Sequence, residues 1–228
     1  TKPFSSFTET SLLKSARIYY NAKNYPKAVE RYTELERVTQ SLTNKQEAQR
    51  NIMYSQFYSE LYYEAIVSAQ KVIDDASVAP KDRNEASAII ARSSYQLNDL
   101  PKAQAEFSKL VKLKSSELGA EASYYLALIE YQNARYTESE KLVFDLINEF
   151  ASFEYWVAKS FILLSDVYVA KGDYYQAKYT LQSVIDNYKG EDLVAEARTK
   201  LDAIITLEKQ KEQQLDGEGE QIIDGNNE

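Results

Sequence analysis

The chain has 228 residues, of which 44% are hydrophobic and 27% charged, with six glycines and four prolines. This composition supplies enough apolar side chains for a buried core and excludes a wholly disordered or collagen-like chain. The sequence contains no cysteine and no histidine, which excludes thiol nucleophiles, imidazole bases and Cys/His metal sites. We therefore expect a protein that is not an enzyme and that uses no cofactor and no metal.

The formal net charge of −8 is concentrated at one end of the chain. Residues 208–228 contain seven acidic and two basic side chains, a net charge of −5, which leaves −3 for residues 1–207. Neither part offers the basic footprint that a phosphate backbone requires, so we expect no nucleic-acid partner. No run of eighteen apolar residues occurs, so we also expect no transmembrane segment.

An internal repeat is the most informative feature of the sequence. Five segments share a pattern of a first aromatic or aliphatic stretch, a short polar turn and a small residue, at 19–32, 57–69, 95–107, 131–143 and 169–181. The small residues that anchor the pattern are Ala28, Ala65, Ala103, Ser139 and Ala177. They are separated by 37, 38, 36 and 38 residues, a regularity that indicates stacked structural units.

Each unit is predicted to form two helices, because apolar residues recur at spacings of three and four on both sides of the polar turn. Asn24, Asp99 and Asp173 stand where a second helix needs an N-cap acceptor, and a proline follows two residues after the first two of them. Gly172 precedes Asp173 and is predicted to take a positive φ at the end of the preceding helix. Small residues on the first helices, at Ala16, Ala91, Ala127 and Ser165, predict a close approach of the two helices in a unit.

With these positions, the chain resembles a tetratricopeptide-repeat (TPR) protein over residues 8–188. Two units depart from the family pattern: Met53 replaces the small residue of the second, and Ser139 replaces the alanine of the fourth. The resemblance implies an all-α fold, a right-handed α-α superhelix of about five helix-turn-helix repeats plus a C-terminal capping helix. The stretch 156–204 is similar to the C-terminal end of large envelope TPR proteins of Bacteroidetes, which implies a periplasmic or outer-membrane-associated location, with the cytoplasm as the alternative.

The predicted domain organisation is a solenoid over residues 1–207, including a capping helix at 191–207, and an acidic polar tail at 208–228. The capping helix carries an apolar face that would cover the open end of the last repeat, at Leu193, Val194, Ala197, Leu201, Ile204, Ile205 and Leu207. We expect the tail to be solvated, since few apolar residues occur in it. The alternative is that its apolar pair, Ile222 and Ile223, forms a short docking motif.

The family resemblance places the binding surface on the concave face, which the first helices of successive units form. One position on this face is aromatic four times in succession, and arginines and amides lie beside it. Tyrosine and arginine are favoured at recognition hot spots. The predicted partner-binding residues are Arg17, Tyr20, Asn21, Arg50, Phe57, Arg92, Tyr95, Gln96, Tyr131 and Gln132. The alternative is that the four aromatic side chains only pack within the solenoid.

The function expected from this resemblance is a non-catalytic scaffold or adaptor that binds a partner protein or peptide on the concave face. Arg17 and Arg92 are candidate acceptors for an acidic or extended peptide. A second hypothesis is that the chain forms a structural segment of a longer TPR array in a cell-envelope assembly. A third is carbohydrate binding by the tyrosines. The sequence leaves the identity of the partner and the oligomeric state open.

Overall fold

The computed structural model describes the backbone of residues 6–224 and the side chains of residues 8–210. The described backbone is all helical, without a strand. Five first helices, α1, α3, α5, α7 and α9, span Ser6–Asn21, Leu42–Tyr58, Pro80–Gln96, Glu117–Gln132 and Glu154–Ala170. Each is followed by a second helix, and α2, α4, α6, α8 and α10 span Tyr25–Val38, Tyr62–Asp74, Leu100–Leu110, Tyr136–Glu149 and Tyr174–Asn187. The last helix, α11, spans Glu191–Asp224.

The chain folds as two compact units. Unit 1 comprises the described residues up to Leu113 and contains α1 to α6, and unit 2 comprises those from Lys114 and contains α7 to α11. In both units each helix packs on the helices before and after it, and each first helix also contacts the next first helix. This nearest-neighbour packing confirms the predicted helical-repeat fold.

The turn inside each repeat contains one residue in the left-handed region. These residues are Lys23, Glu60, Asn98, Ala134 and Gly172, with φ between 56° and 81°. The predicted positive φ of Gly172 is therefore confirmed, and the other four repeats adopt the same turn without glycine. A backbone hydrogen bond that closes the end of the first helix recurs in every turn: the N–H of Asn24 donates to the carbonyl of Tyr19 at 2.9 Å, and the bond from Asp173 to Tyr168 is equally long.

The predicted N-caps are also confirmed. The side-chain oxygens of Asn24, Asp99 and Asp173 accept hydrogen bonds from the backbone N–H three residues later, at 3.4, 3.3 and 3.0 Å. Leu61 and Arg135 occupy the same place in the second and fourth repeats and offer no side-chain cap. The turn geometry thus persists where the capping residue is absent, and the backbone hydrogen bonds from Leu61 to Gln56 and from Arg135 to Glu130 are kept there.

The two helices of each repeat touch through the predicted small residues. Ala28 and Ala103 are fully buried, and Met53 is fully buried in the same core cluster as Ala65 in the second repeat. In the fourth repeat the hydroxyl of Ser139 donates to the backbone carbonyl of Ala127 across the helix pair at 2.8 Å. This hydrogen bond satisfies the buried hydroxyl and explains how serine is accommodated at an alanine position.

Helix α11 covers the end of the last repeat in unit 2. Leu193, Ala197 and Ile204 are buried in one cluster with Leu181 and Val184 of α10. The predicted capping helix, 191–207, is the first part of α11, which continues as helix to Asp224. The side chains of 211–228 lie outside the described residues, and with them the predicted docking of Ile222 and Ile223. The division of the chain into a solenoid and a tail stays a prediction.

Candidate functional site

The four aromatic positions predicted for the concave face are half-buried. Three of them contact the first residue of the following second helix. Tyr20 packs on Tyr25, Phe57 on Tyr62 and Tyr131 on Tyr136, with ring centroids 5.9, 5.8 and 5.7 Å apart. Each ring therefore packs against its own turn, and part of it stays accessible.

In unit 1 these contacts extend into a larger aromatic cluster. We call Tyr20, Tyr25, Tyr54, Phe57, Tyr58 and Tyr62 the unit 1 aromatic cluster. Tyr58 lies at its centre, with ring centroids 5.1 Å from Tyr25, 5.7 Å from Phe57 and 6.3 Å from Tyr54. The Tyr58 side chain is nevertheless 51% exposed. A half-exposed ring supported on several sides is a rigid apolar platform with a polar tip.

Tyr54 and Tyr58 are not among the site residues predicted from the sequence. The available signal was their spacing of four on α3, which places two rings on one helix face. The contact between Tyr25 and Tyr58 could not be predicted from the sequence, because Tyr25 belongs to the preceding repeat and reaches Tyr58 only when the repeats stack.

Two of the predicted arginines form ion pairs with the next first helix. The Nε and Nη2 atoms of Arg17 on α1 each lie 2.6 Å from a carboxylate oxygen of Glu47 on α3. Arg50 on α3 lies 3.3 Å from Asp82 on α5. Both arginines thus link successive first helices, and a carboxylate of a partner would have to compete with Glu47 or Asp82.

Tyrosine hydroxyls extend this polar layer. The hydroxyl of Tyr54 donates to Glu85 on α5 at 3.1 Å. Burial first, and then Glu85, raise the pKa of Tyr54, while Arg92 opposes the shift. Burial also raises the pKa of Tyr20 to about 12, with further contributions from Tyr58 and Tyr25 and an opposing one from Arg50. These phenols therefore stay protonated at neutral pH and can donate hydrogen bonds.

The predicted amides lie at the ends of first helices. Asn21, Gln96 and Gln132 are the last residues of α1, α5 and α7, and all three are exposed. Arg92 and Tyr95 lie about one helical turn or less before Gln96, and both are partly buried. In unit 1 the structure therefore places eight of the predicted residues on the first helices α1, α3 and α5, while Tyr131 and Gln132 lie on α7 of unit 2.

Neither a metal centre nor a membrane-crossing helix is found in the described part of the chain. No group of three or more acidic side chains there has an arrangement that could hold a metal ion. None of the helices in that part is both long and apolar enough to cross a membrane.

Sequence comparison with protein families agrees with the repeat geometry. Two tetratricopeptide-repeat models match, one over residues 90–152 and the other over residues 10–37 and 155–190. Together the matched segments cover more than half of the chain. The chain is a TPR protein. A search of curated protein sequences finds no significant match.

Solved TPR structures share this fold at low sequence identity. A single-residue variant of a Podosopora anserina putative kinesin light chain with nearly identical TPR-like repeats matches with a TM-score of 0.63 and 16% identity, covering 86% of this chain and 100% of that one. The MamA protein matches with a TM-score of 0.60 and 15% identity, covering 82% and 98%. YrrB, described as a TPR protein with an unusual peptide-binding site, matches with a TM-score of 0.58 and 14% identity, covering 82% and 90%. At these identities the likeness shows the fold alone.

Proposed function

We propose that this TPR protein is a non-catalytic interaction module that binds a partner protein or peptide on the face formed by its first helices. The observation that carries the proposal is Tyr58, which is half exposed at the centre of the unit 1 aromatic cluster. A supported tyrosine ring gives a partner a large apolar contact at little cost in side-chain entropy, because its neighbours already restrict its rotamer. The unusual peptide-binding site of YrrB is a property of that protein and supports the proposal only by fold analogy.

The charges around the cluster indicate what kind of contact the partner makes. Glu47 and Asp82 already compensate Arg17 and Arg50. Binding of an acidic peptide through Arg17, as the sequence suggested, would therefore cost an existing bidentate ion pair. We expect the partner to contact the aromatic rings and to accept hydrogen bonds from the tyrosine hydroxyls, while the arginines mainly hold the first helices together.

The proposal can be tested without knowing the natural partner. Peptides are selected from a displayed random library on the immobilised chain, and their affinities are measured by isothermal titration calorimetry. Tyr58→Ala should weaken binding of the selected peptides about 30-fold, which corresponds to about 2 kcal/mol, the lower bound for a hot-spot residue. The matched control is Tyr63→Ala, because Tyr63 is also an exposed tyrosine but lies on the second helix α4.

A second pair of variants tests the predicted residues on α5. Arg92→Ala combined with Tyr95→Ala should weaken binding by a similar factor, whereas Lys109→Ala with Lys112→Ala, which changes exposed side chains on α6 and just after it, should leave it unchanged. All variants must keep the parent's circular dichroism and melting temperature. If correctly folded Tyr58 and Arg92/Tyr95 variants bind as the parent does, the first-helix face is not the binding surface.

The cellular setting is proposed from the sequence resemblance alone. It comprises a periplasmic or outer-membrane-associated location and membership of a longer TPR array in an envelope assembly. Cell fractionation tests the location. The native open reading frame tests the array, because further units of 36 to 38 residues should precede Thr1 if the chain belongs to one.

A further inference from the structure

Unit 2 contains a second aromatic cluster, in which three rings surround an ammonium group. Lys159 on α9 places its Nζ 5.2 Å from the ring centroid of Tyr124 and 5.5 Å from those of Tyr155 and Trp156. The rings also contact one another, with centroids 5.6 Å apart for Tyr124 and Trp156 and 5.1 Å apart for Tyr155 and Trp156. We call the rings of Tyr124, Tyr155 and Trp156 the cation cage. Such distances are those at which ring quadrupoles attract a cation.

Lys159 is held in the cage mainly by these rings. Its only described hydrogen bond runs from Nζ to the hydroxyl of Tyr155 and is long, 3.4 Å. Among the described residues no carboxylate lies within ion-pair distance of its Nζ. The lysine stem has four flexible carbons, so the ammonium can leave the cage for water by side-chain rotation alone, without movement of the backbone.

One wall of the cage contains a polar group without a partner. The side chain of Trp156 is nine-tenths buried, and its Nε1–H has no hydrogen-bond acceptor among the described residues. A buried donor without an acceptor costs free energy. The described residues therefore leave one polar group of this ring unsatisfied.

A carboxylate adjoins the cage at Tyr155. Glu154 precedes Tyr155, and both lie close enough to Tyr188 to influence its phenol, as does Asp192. Burial is the main cause of the raised pKa of Tyr188, followed by Asp192, Tyr155 and Glu154. The exposed carboxylate of Glu154 is therefore next to Tyr155 in the chain, where it attracts cations and repels anions.

We propose that the cation cage is a binding site for a lysine or arginine side chain of the partner, and that Lys159 is its internal, displaceable occupant. This inference rests on the proposed partner-binding function and assigns a chemistry to the partner. Exchange of one cation for another is nearly balanced at the rings themselves. The partner's advantage comes from contact with Tyr155, which is partly exposed, and from the exposed carboxylate of Glu154 beside it.

The first test needs no partner. Trp156 is the only tryptophan of the chain, so intrinsic tryptophan fluorescence reports on the cage alone. Tetramethylammonium chloride is titrated into the full chain and into Lys159→Met, which keeps an apolar stem but vacates the cage. Sodium chloride at equal ionic strength and neutral tert-butanol serve as controls. We expect saturable binding of tetramethylammonium that is at least about fivefold tighter in Lys159→Met than in the parent.

Two further variants make the result specific. Lys159→Met combined with Tyr155→Ala removes one wall and should lose most of this binding. Lys159→Met with Tyr175→Ala, which removes an exposed tyrosine on α10 instead, should keep it. A correctly folded Lys159→Met variant that responds to tetramethylammonium no more than to the two controls overturns the proposal.

The second test uses the library-selected peptides. The lysine and arginine residues of these peptides are replaced one at a time by norleucine. At one position the replacement should lower the affinity for the parent chain. The same replacement should leave the affinity for Tyr155→Ala unchanged. If no position behaves in this way, the cage does not receive a side chain of the partner. The Tyr58→Ala comparison does not involve the cage, so its outcome separates failure of this inference from failure of the proposed function.

Discussion

Arg17 of α1 and Glu47 of α3 form a bidentate ion pair between successive first helices, with both nitrogen–oxygen distances at 2.6 Å. The guanidinium is half exposed and the carboxylate is mostly covered. A double-mutant cycle with Arg17→Ala and Glu47→Ala, measured by urea unfolding, should give a coupling free energy of roughly 0.2–1 kcal/mol that decreases in high salt. A coupling of zero would mean that the pair does not join the helices and that Arg17 is available to a partner.

Substitutions at the left-handed residue of two turns should change the free energy of unfolding in opposite directions. Gly172 has a φ of 81°, and a Cβ built on it meets no atom within 4 Å, so Gly172→Ala introduces backbone strain without a clash. We expect it to lower the free energy of unfolding by roughly 1 kcal/mol. Ala134 occupies the same turn position with a φ of 57°, and Ala134→Gly should raise stability by a similar or smaller amount. Opposite shifts of the two thermal midpoints are the result to look for; shifts of equal sign would contradict the shared turn geometry.

Overpacking at a repeat contact should be costly. Ala103 is fully buried on α6, which packs on α5. The added methylenes of Ala103→Leu therefore have no space and should cost roughly 1–3 kcal/mol. Ala105 lies two residues further along the same helix and is exposed, which makes Ala105→Leu a matched control with little expected effect. Chemical denaturation of both variants measures the difference. Equal stabilities would show that the assigned repeat register is wrong.

Alkaline pH should destabilise the fold through its covered phenols. Burial raises the pKa of both Tyr20 and Tyr32 to about 12, above the ordinary value of about 10. Between these values the unfolded chain has already released protons that the native chain retains, so the free energy of unfolding falls as the pH rises from about 10 to about 12. Below about pH 10 these two groups contribute no pH dependence.

Urea unfolding of the parent and of Tyr32→Phe at about pH 8, 10 and 11 checks this expectation. Tyr32 is the more deeply buried of the two, and without its hydroxyl the fall in stability should be smaller. If the free energy of unfolding falls equally with pH in the two proteins, Tyr32 is not a source of the alkaline instability.

The repeat architecture could be predicted from the sequence because its signals are local. Asn24, Asp99 and Asp173 cap helices through bonds to a backbone N–H only three residues away, and the positive φ of Gly172 is a property of one residue in one turn. The period of 36 to 38 residues follows from such signals in succession, so neither the turn positions nor the pairing of helices within a repeat required knowledge of how the repeats stack.

The contacts that define the candidate surface join residues about thirty positions apart in the sequence. The sequence indicated arginines and aromatic residues on first helices, and it could not show that Glu47 engages Arg17 or that Tyr25 supports Tyr58. Nor could it show that Tyr124 of α7 joins Tyr155 and Trp156 of α9 around Lys159. Each of these pairings depends on the register and rotation of one helix against the next, which are set by the packing of buried side chains. Composition and spacing therefore determined which residue types face outward, and only the tertiary structure decided which of them already have a partner.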